Sequence, residues 1–198
     1  NAKGLFSNED LRQAVSYALD YDAFKTYFGS AYAEIPNRGF VPATTVGYKE
    51  TEKLTTDASK ADAYMKAAGY AEKNADGFYV NADGQVAAFT LTVNAAKETH
   101  VGYAEMVKTQ LESFGIQVNL DTVDKDAYNA KTSNKFSENN ITMEAAIYGY
   151  TAAGMGMGNG LGSIYVDGSH AVQGGCQVFD EEFSTILSEM KAARTIEE

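Results

Sequence analysis

The pattern that most limits the fold lies between residues 89 and 120. Phe89, Leu91 and Val93 alternate with Thr90 and Thr92, the period of two expected of a half-buried strand. From Thr99 to Phe114 the positions Tyr103, Val107, Leu111 and Phe114 follow a helical stripe instead. Gly115 stops that stripe, and Ile116, Val118 and Leu120 alternate again. Strand, helix and strand in this order make a β-α-β unit, whose crossover is nearly always right-handed. The expected class is therefore α/β, a mixed sheet flanked by helices.

The segments on either side supply the helices and the remaining strands. Ser7-Asn8-Glu9-Asp10 reads as a capping arrangement led by the Ser7 hydroxyl, after which Leu11, Ala14, Val15, Ala18 and Leu19 share one face. Asp20 or Asp22 can cap a short helix through Phe24, Tyr27 and Phe28 that Gly29 ends. Both prolines, Pro36 and Pro42, fall within residues 30–49, which keep no period and read as an extended loop. Asp57 opens another helix, with Ala61, Tyr64, Met65 and Ala68 inward and Gly69 closing it. Phe78-Tyr79-Val80 and residues 86–93 flank Asn81-Ala82-Asp83-Gly84-Gln85, which predicts a hairpin. Residues 124–132 are a weaker helix and 133–140 a polar connection. Asp180 caps a last helix that should turn Phe183, Ile186, Leu187 and Met190 inward.

Composition narrows the function. The 198 residues fit one domain or two small ones, and 44% hydrophobic residues are enough to bury a core. A net charge of -11 opposes phosphate backbones and anionic membrane surfaces, so nucleic acid is not an expected partner. Cys176 is alone and His100 and His170 are far apart, which suggests neither a disulfide, nor a metal site, nor a Cys/His pair. No apolar run is long enough to span a bilayer. The chain opens at once on Asn1-Ala2-Lys3, and its final residues carry neither a glycine cap nor a proline stop, as expected of an excised fragment.

The candidate site is the stretch from Met143 to Gly162. A short apolar run, Ala145-Ala146-Ile147-Tyr148, passes there into a loop with glycine at almost every second position. Glycine lets a backbone approach another molecule closely, and strand ends that open into such loops are common binding positions. Alternation puts Tyr148 and Tyr150 on the same face of the strand. The run Gly154-Met155-Gly156-Met157-Gly158-Asn159-Gly160 lacks the G-x-G-x-x-G spacing and any Gly-Lys-Ser/Thr, so it is not a phosphate cradle. No G-x-S-x-G elbow occurs, and no carboxylate pair or His-assisted nucleophile stands out, which argues against an enzyme and against a bound cofactor.

Several of these segments carry a resemblance in order. Asp10-Leu11-Arg12-Gln13-Ala14-Val15-Ser16-Tyr17-Ala18-Leu19-Asp20 resembles the "D-x-R-Q-A-x-x-Y-A-I-D" helix of the extracytoplasmic peptide- and nickel-binding proteins of ABC importers. Asp57-Ala58-Ser59-Lys60-Ala61 with Ala67-Ala68-Gly69-Tyr70 is similar to that family's "D-x-x-K-A…A-G-Y", and Leu111-Glu112-Ser113-Phe114-Gly115-Ile116-Gln117-Val118 to its "L-x-x-I-G-I-x-V". Asp126-Ala127-Tyr128 and Phe179-Asp180-Glu181-Glu182-Phe183 resemble two further helix openings. Each motif is mostly caps and core, but together they cover nearly the whole chain in the family's order.

The resemblance implies that residues 1–198 form a single α/β lobe, the second (C-terminal) large lobe of a two-lobed periplasmic-binding-protein-like fold. Such a protein acts outside the cytoplasm, in the periplasm or lipid-anchored at the cell surface, and delivers solutes to an ABC permease. The implied ligand is a peptide held in the cleft between this lobe and a missing one, with Tyr148, Gly149, Tyr150, Thr151, Ala152 and Ala153 at the cleft edge. Arg38 could meet a ligand carboxylate, and a solvated surface Arg is its plainer reading. Family members often carry an Asp just after this strand to pair with the peptide amine, whereas Thr151-Ala152-Ala153 offers no acid. Asp167, or a group on the other lobe, would have to serve. A nickel chelate held by Tyr148, Tyr150 and His170 is the alternative occupant, and a surface sensing or adhesion module is a further reading of the same lobe.

Overall fold

The structure is a computed structural model that describes residues 4–38, 48–132, 142–149 and 180–193. A 3-10 turn at Gly4–Ser7 leads into α1 (Glu9–Ala18), α2 (Tyr21–Phe28) and α3 (Ala58–Ala67). The strands β1 (Glu72–Lys73), β2 (Tyr79–Val80) and β3 (Ala88–Asn94) precede α4 (Glu98–Phe114). Then come β4 (Gln117–Val123), α5 (Lys125–Thr132), β5 (Ala145–Ala146) and α6 (Glu181–Ala192).

The predicted β-α-β unit forms the centre. β3 and β4 pair in parallel over their full length, from Ala88 opposite Gln117 to Asn94 opposite Val123. On its other side β3 pairs in parallel with β5, at Leu91–Ala145 and Thr92–Ala146. The order among the described strands is thus β4-β3-β5, and β1 and β2 form a separate antiparallel pair. Leu111 and Ala104 of α4 are fully buried among Phe89, Leu91, Val93, Ile116 and Val118. Each large aliphatic side chain buried in this way contributes on the order of 1.5–3 kcal/mol. The apolar face of α1 packs against α3, with Ala14, Ala61 and Met65 at 0% exposure. The rings of Tyr17 and Tyr64 stack across that contact with centroids 5.8 Å apart.

Helix ends follow side-chain chemistry closely. Asp20, Asp57 and Asp180 each accept the N–H three residues on. Tyr70 N–H reaches Met65 O at 2.9 Å and Gly69 N–H reaches Lys66 O at 3.0 Å, closing α3 in a Schellman turn with Gly69 at φ +89. Gly115, at φ +118, ends α4, and a Cβ there would stand 2.9 Å from the Gly77 carbonyl oxygen. Only glycine fits both demands.

Several expectations need correction. The cap of α1 is Asn8, whose side chain accepts from Asp10 N–H, because Ser7 belongs to the preceding 3-10 turn and donates to Gly4 O. The Asn81–Gln85 turn forms, but the hairpin ends after one bridge, Val80–Val86, since β2 takes β1 as its partner and β3 belongs to the parallel sheet. In α6 Leu187 is buried, while Ile186 and Met190 are 51% and 41% exposed. α2 forms as expected, capped by Asp20 and ended by Gly29, and its Phe24, Tyr27 and Phe28 surround Tyr103 of α4, with ring centroids 5.6, 5.3 and 5.0 Å away. The 39–47 part of the extended loop, the 133–140 connection and residues 150–179 lie outside the described residues.

Candidate functional site

The order β4-β3-β5 defines where a crevice can open. The chain leaves β3 through α4 toward β4, on one side, and enters β5 on the other. The right-handed crossover rule then places α4 and α5 on opposite faces of the sheet. The strand order reverses between β3 and β5, and open parallel sheets bind ligands beyond the carboxyl ends of their strands at such a switch point. The elements meeting there are Asn94 at the end of β3, the first turn of α4, and residues 147–149 beyond β5.

Two helices hold the end of β5. Ile147 N–H donates to Thr92 O at 3.2 Å, so the ladder reaches one residue past the formal strand. From α5, the Tyr128 hydroxyl donates to Ile147 O at 2.7 Å. Tyr128 is buried, and desolvation, with the nearby Tyr148, pushes its pKa up to about 12. From α4, His100 faces Gly149, where a Cβ would lie 3.2 Å from the imidazole Nε2. Its Nδ1 is shielded from solvent and has no hydrogen-bond partner among the described residues. Desolvation by burial, then the charge of Lys97, lower its pKa below the usual histidine value. Between these holds, Tyr148 is 46% exposed and Gly149 is exposed as well.

Of the residues the sequence offered, Tyr148 and Gly149 therefore stand together at the switch point. Tyr150, Thr151, Ala152 and Ala153, with Asp167 and His170, lie outside the described residues. Arg38 sits elsewhere: its guanidinium lies 4.4 Å over the Tyr17 ring and its Nε is 3.4 Å from a Glu52 carboxylate oxygen. Its carboxylate partner in this chain is thus internal. His100, which the sequence offered only as one of two distant histidines, also lies at the switch point, beside Gly149. The signal was its spacing, since positions 100, 103, 107 and 111 form one stripe on α4.

A cavity of about 780 Å³ opens between α2 and the segments around residues 35 and 55, lined by Lys25, Lys53, Glu34, Glu50 and hydroxyl groups. Tyr148, Gly149 and Arg38 are not among the residues lining it. The strand ends have the topological argument and the exposed ring, and they are the candidate site. Among the described residues no helix is long and apolar enough to cross a membrane, and no group of three potential metal ligands occurs.

This arrangement is similar to that of solved binding proteins. The oligopeptide-binding protein AppA from Bacillus subtilis, in complex with a nonapeptide, matches 98% of this chain with 37% of its own, at TM-score 0.77 and 20% identity. DppA from Helicobacter pylori, an ABC transporter-associated periplasmic binding protein in complex with the peptide STSA, gives TM-score 0.76 at 22% identity, over 98% of this chain and 35% of that one. A nickel ABC transporter structure from Bacillus halodurans gives 0.75 at 19% identity, over 98% and 38%. The class is thus an α/β unit with the periplasmic-binding-protein fold.

In sequence, a probable ABC transporter-binding protein from Deinococcus radiodurans is 25% identical over 158 residues, 76% of this chain and 25% of that protein. Residues 1–166 match the bacterial extracellular solute-binding proteins, family 5, middle region, and the chain belongs to that family. Membership sets it among binding proteins rather than enzymes. The chain spans about a quarter of the length of its curated relative.

Proposed function

We propose that this chain is one lobe of a two-lobed solute-binding protein of an ABC importer, which captures peptides reversibly in an interlobe cleft and delivers them to a membrane permease outside the cytoplasm. The observation that carries the reading is the exposed Tyr148-Gly149 pair at the β3/β5 switch point, in a chain of the extracellular solute-binding family. Residues 148–153 form this lobe's ligand edge. Main-chain groups past β5 receive the extended ligand in the manner of an added strand, and the tyrosine rings supply contact area with a hydroxyl at the tip. Arg38 is a secondary contact that a ligand carboxylate would have to win from Glu52. The oligopeptide complex of AppA and the STSA complex of DppA support a peptide as the occupant.

Native mass spectrometry of the full-length protein as purified, followed by calorimetric titration with tri- to nonapeptides and with a nickel–histidine chelate, tests this. Co-purified peptide and saturable peptide binding are expected. Binding of the chelate with no response to any peptide would replace the peptide reading with the nickel one.

A further inference from the structure

We infer that His100 is a positioning residue of the ligand site: as a neutral imidazole it backs Gly149, and with Tyr128 on the other side it fixes the strand end that presents Tyr148. The inference rests on the site proposed above. Ile147 is held through its carbonyl by Tyr128, and the His100 ring stands beside Gly149, on the side where a Cβ would project. Tyr148 is therefore braced at both neighbours, from helices on opposite faces of the sheet. The fit is close, because a Cβ at 149 would reach 3.2 Å from Nε2 and 3.5 Å from Cε1, so a side chain there requires the imidazole to give by a few tenths of an ångström.

The contact also needs an uncharged ring. Protonation makes both ring nitrogens donors, and among the described residues Nδ1 has no acceptor where it lies. A buried donor without a partner costs about 1–3 kcal/mol, so an imidazolium is driven out of the contact. The charged groups on its own helix are Lys97, which disfavours the imidazolium, and Glu98, which is exposed. The neighbour it faces from another element is Gly149, which carries no titratable group, and the residue before that glycine is the phenol Tyr148. The sign follows. Burial holds the folded-state pKa below the unfolded one, so the contact is complete above the ordinary value of about 6.5 and is lost as pH falls toward the lower folded value.

The test uses full-length protein, with the peptide tetra-alanine as probe, between pH 5 and 7. Amide-exchange protection at Tyr148 and Gly149 should fall with pH in the parent and stay level in His100→Gln. Tetra-alanine affinity should fall by up to about tenfold per pH unit once the imidazole protonates, and by less than about twofold in His100→Gln. Gly149→Ala should weaken binding at pH 7, where His100 is neutral. A pH profile unchanged by His100→Gln, or protection at Tyr148 and Gly149 that does not vary with pH in the parent, would overturn the inference. If tetra-alanine fails to bind while the exchange response depends on His100, the positioning role stands and the peptide reading is what fails.

Discussion

β3 pairs with β4 through seven consecutive residues and with β5 through two. On the β4 side, Leu91, Val93, Leu111, Ile116 and Val118 are 0–3% exposed. On the β5 side, Tyr148 is 46% exposed, and the described holds on the strand end include the Ile147 N–H to Thr92 O bond and the Tyr128 hydroxyl on Ile147 O. The two flanks of one strand thus use apolar area differently. The crossover spends it on the chain's own partner. The β5 end leaves part of the Tyr148 ring exposed, and the proposed function uses that surface for the ligand. Substitutions should divide along this line, with large stability effects on the β4 side and affinity effects on the β5 side.

The largest stability effect should come from Leu111→Ala. This side chain has 0% exposure, and truncating a buried leucine costs about 2–5 kcal/mol. Thermal unfolding of full-length protein should show a strongly lowered Tm, while the fraction that stays folded binds ligand with parental affinity. Lost affinity in the folded fraction would mean that the two flanks are not separable. Gly115→Ala should follow, at about 1–3 kcal/mol, because φ +118 is strained for any other residue and the Gly77 carbonyl lies in the way. Urea unfolding would check it, and a change below about 0.5 kcal/mol would show that the α4 terminus can rearrange.

Tyr128→Phe probes the boundary between the flanks. It removes the bond to Ile147 O, worth about 1 kcal/mol, and leaves the ring in place. A modest fall in Tm should come with weaker ligand binding, since the freed carbonyl loosens the end that carries Tyr148. A stability loss with unchanged affinity would confine Tyr128 to the scaffold.

The same division explains what the sequence made legible. Residues 89–120 could be read because period, glycine stop and burial agree there, and so could the caps at Asp20, Asp57 and Asp180, since a short acceptor before an apolar stripe has few other uses. The errors arose where two structures competed for one residue. Ser7 suits a cap but is used by the 3-10 turn, and the alternation at residues 86–93 suits a hairpin as well as a parallel strand. Tyr148 and Gly149 were found from glycine density, a signal of backbone approach. His100 was missed because its importance depends on β5, which the chain reaches only after another strand and helix.

The smallest stability effect and the clearest functional one should come from Tyr148→Ala. A residue 46% exposed beyond a two-residue strand gives up little of the core, so Tm should move by no more than about 0.5 kcal/mol of stability allows. Affinity for peptide should fall all the same, because the ring is the largest described apolar group at the switch point. Calorimetric titration beside a melting curve separates the outcomes. If Tyr148→Ala lowers Tm as Tyr128→Phe does and leaves affinity untouched, the β5 flank is scaffold like the β4 flank, and the ligand edge must be sought elsewhere on the lobe, beginning with the mixed-charge cavity beside α2.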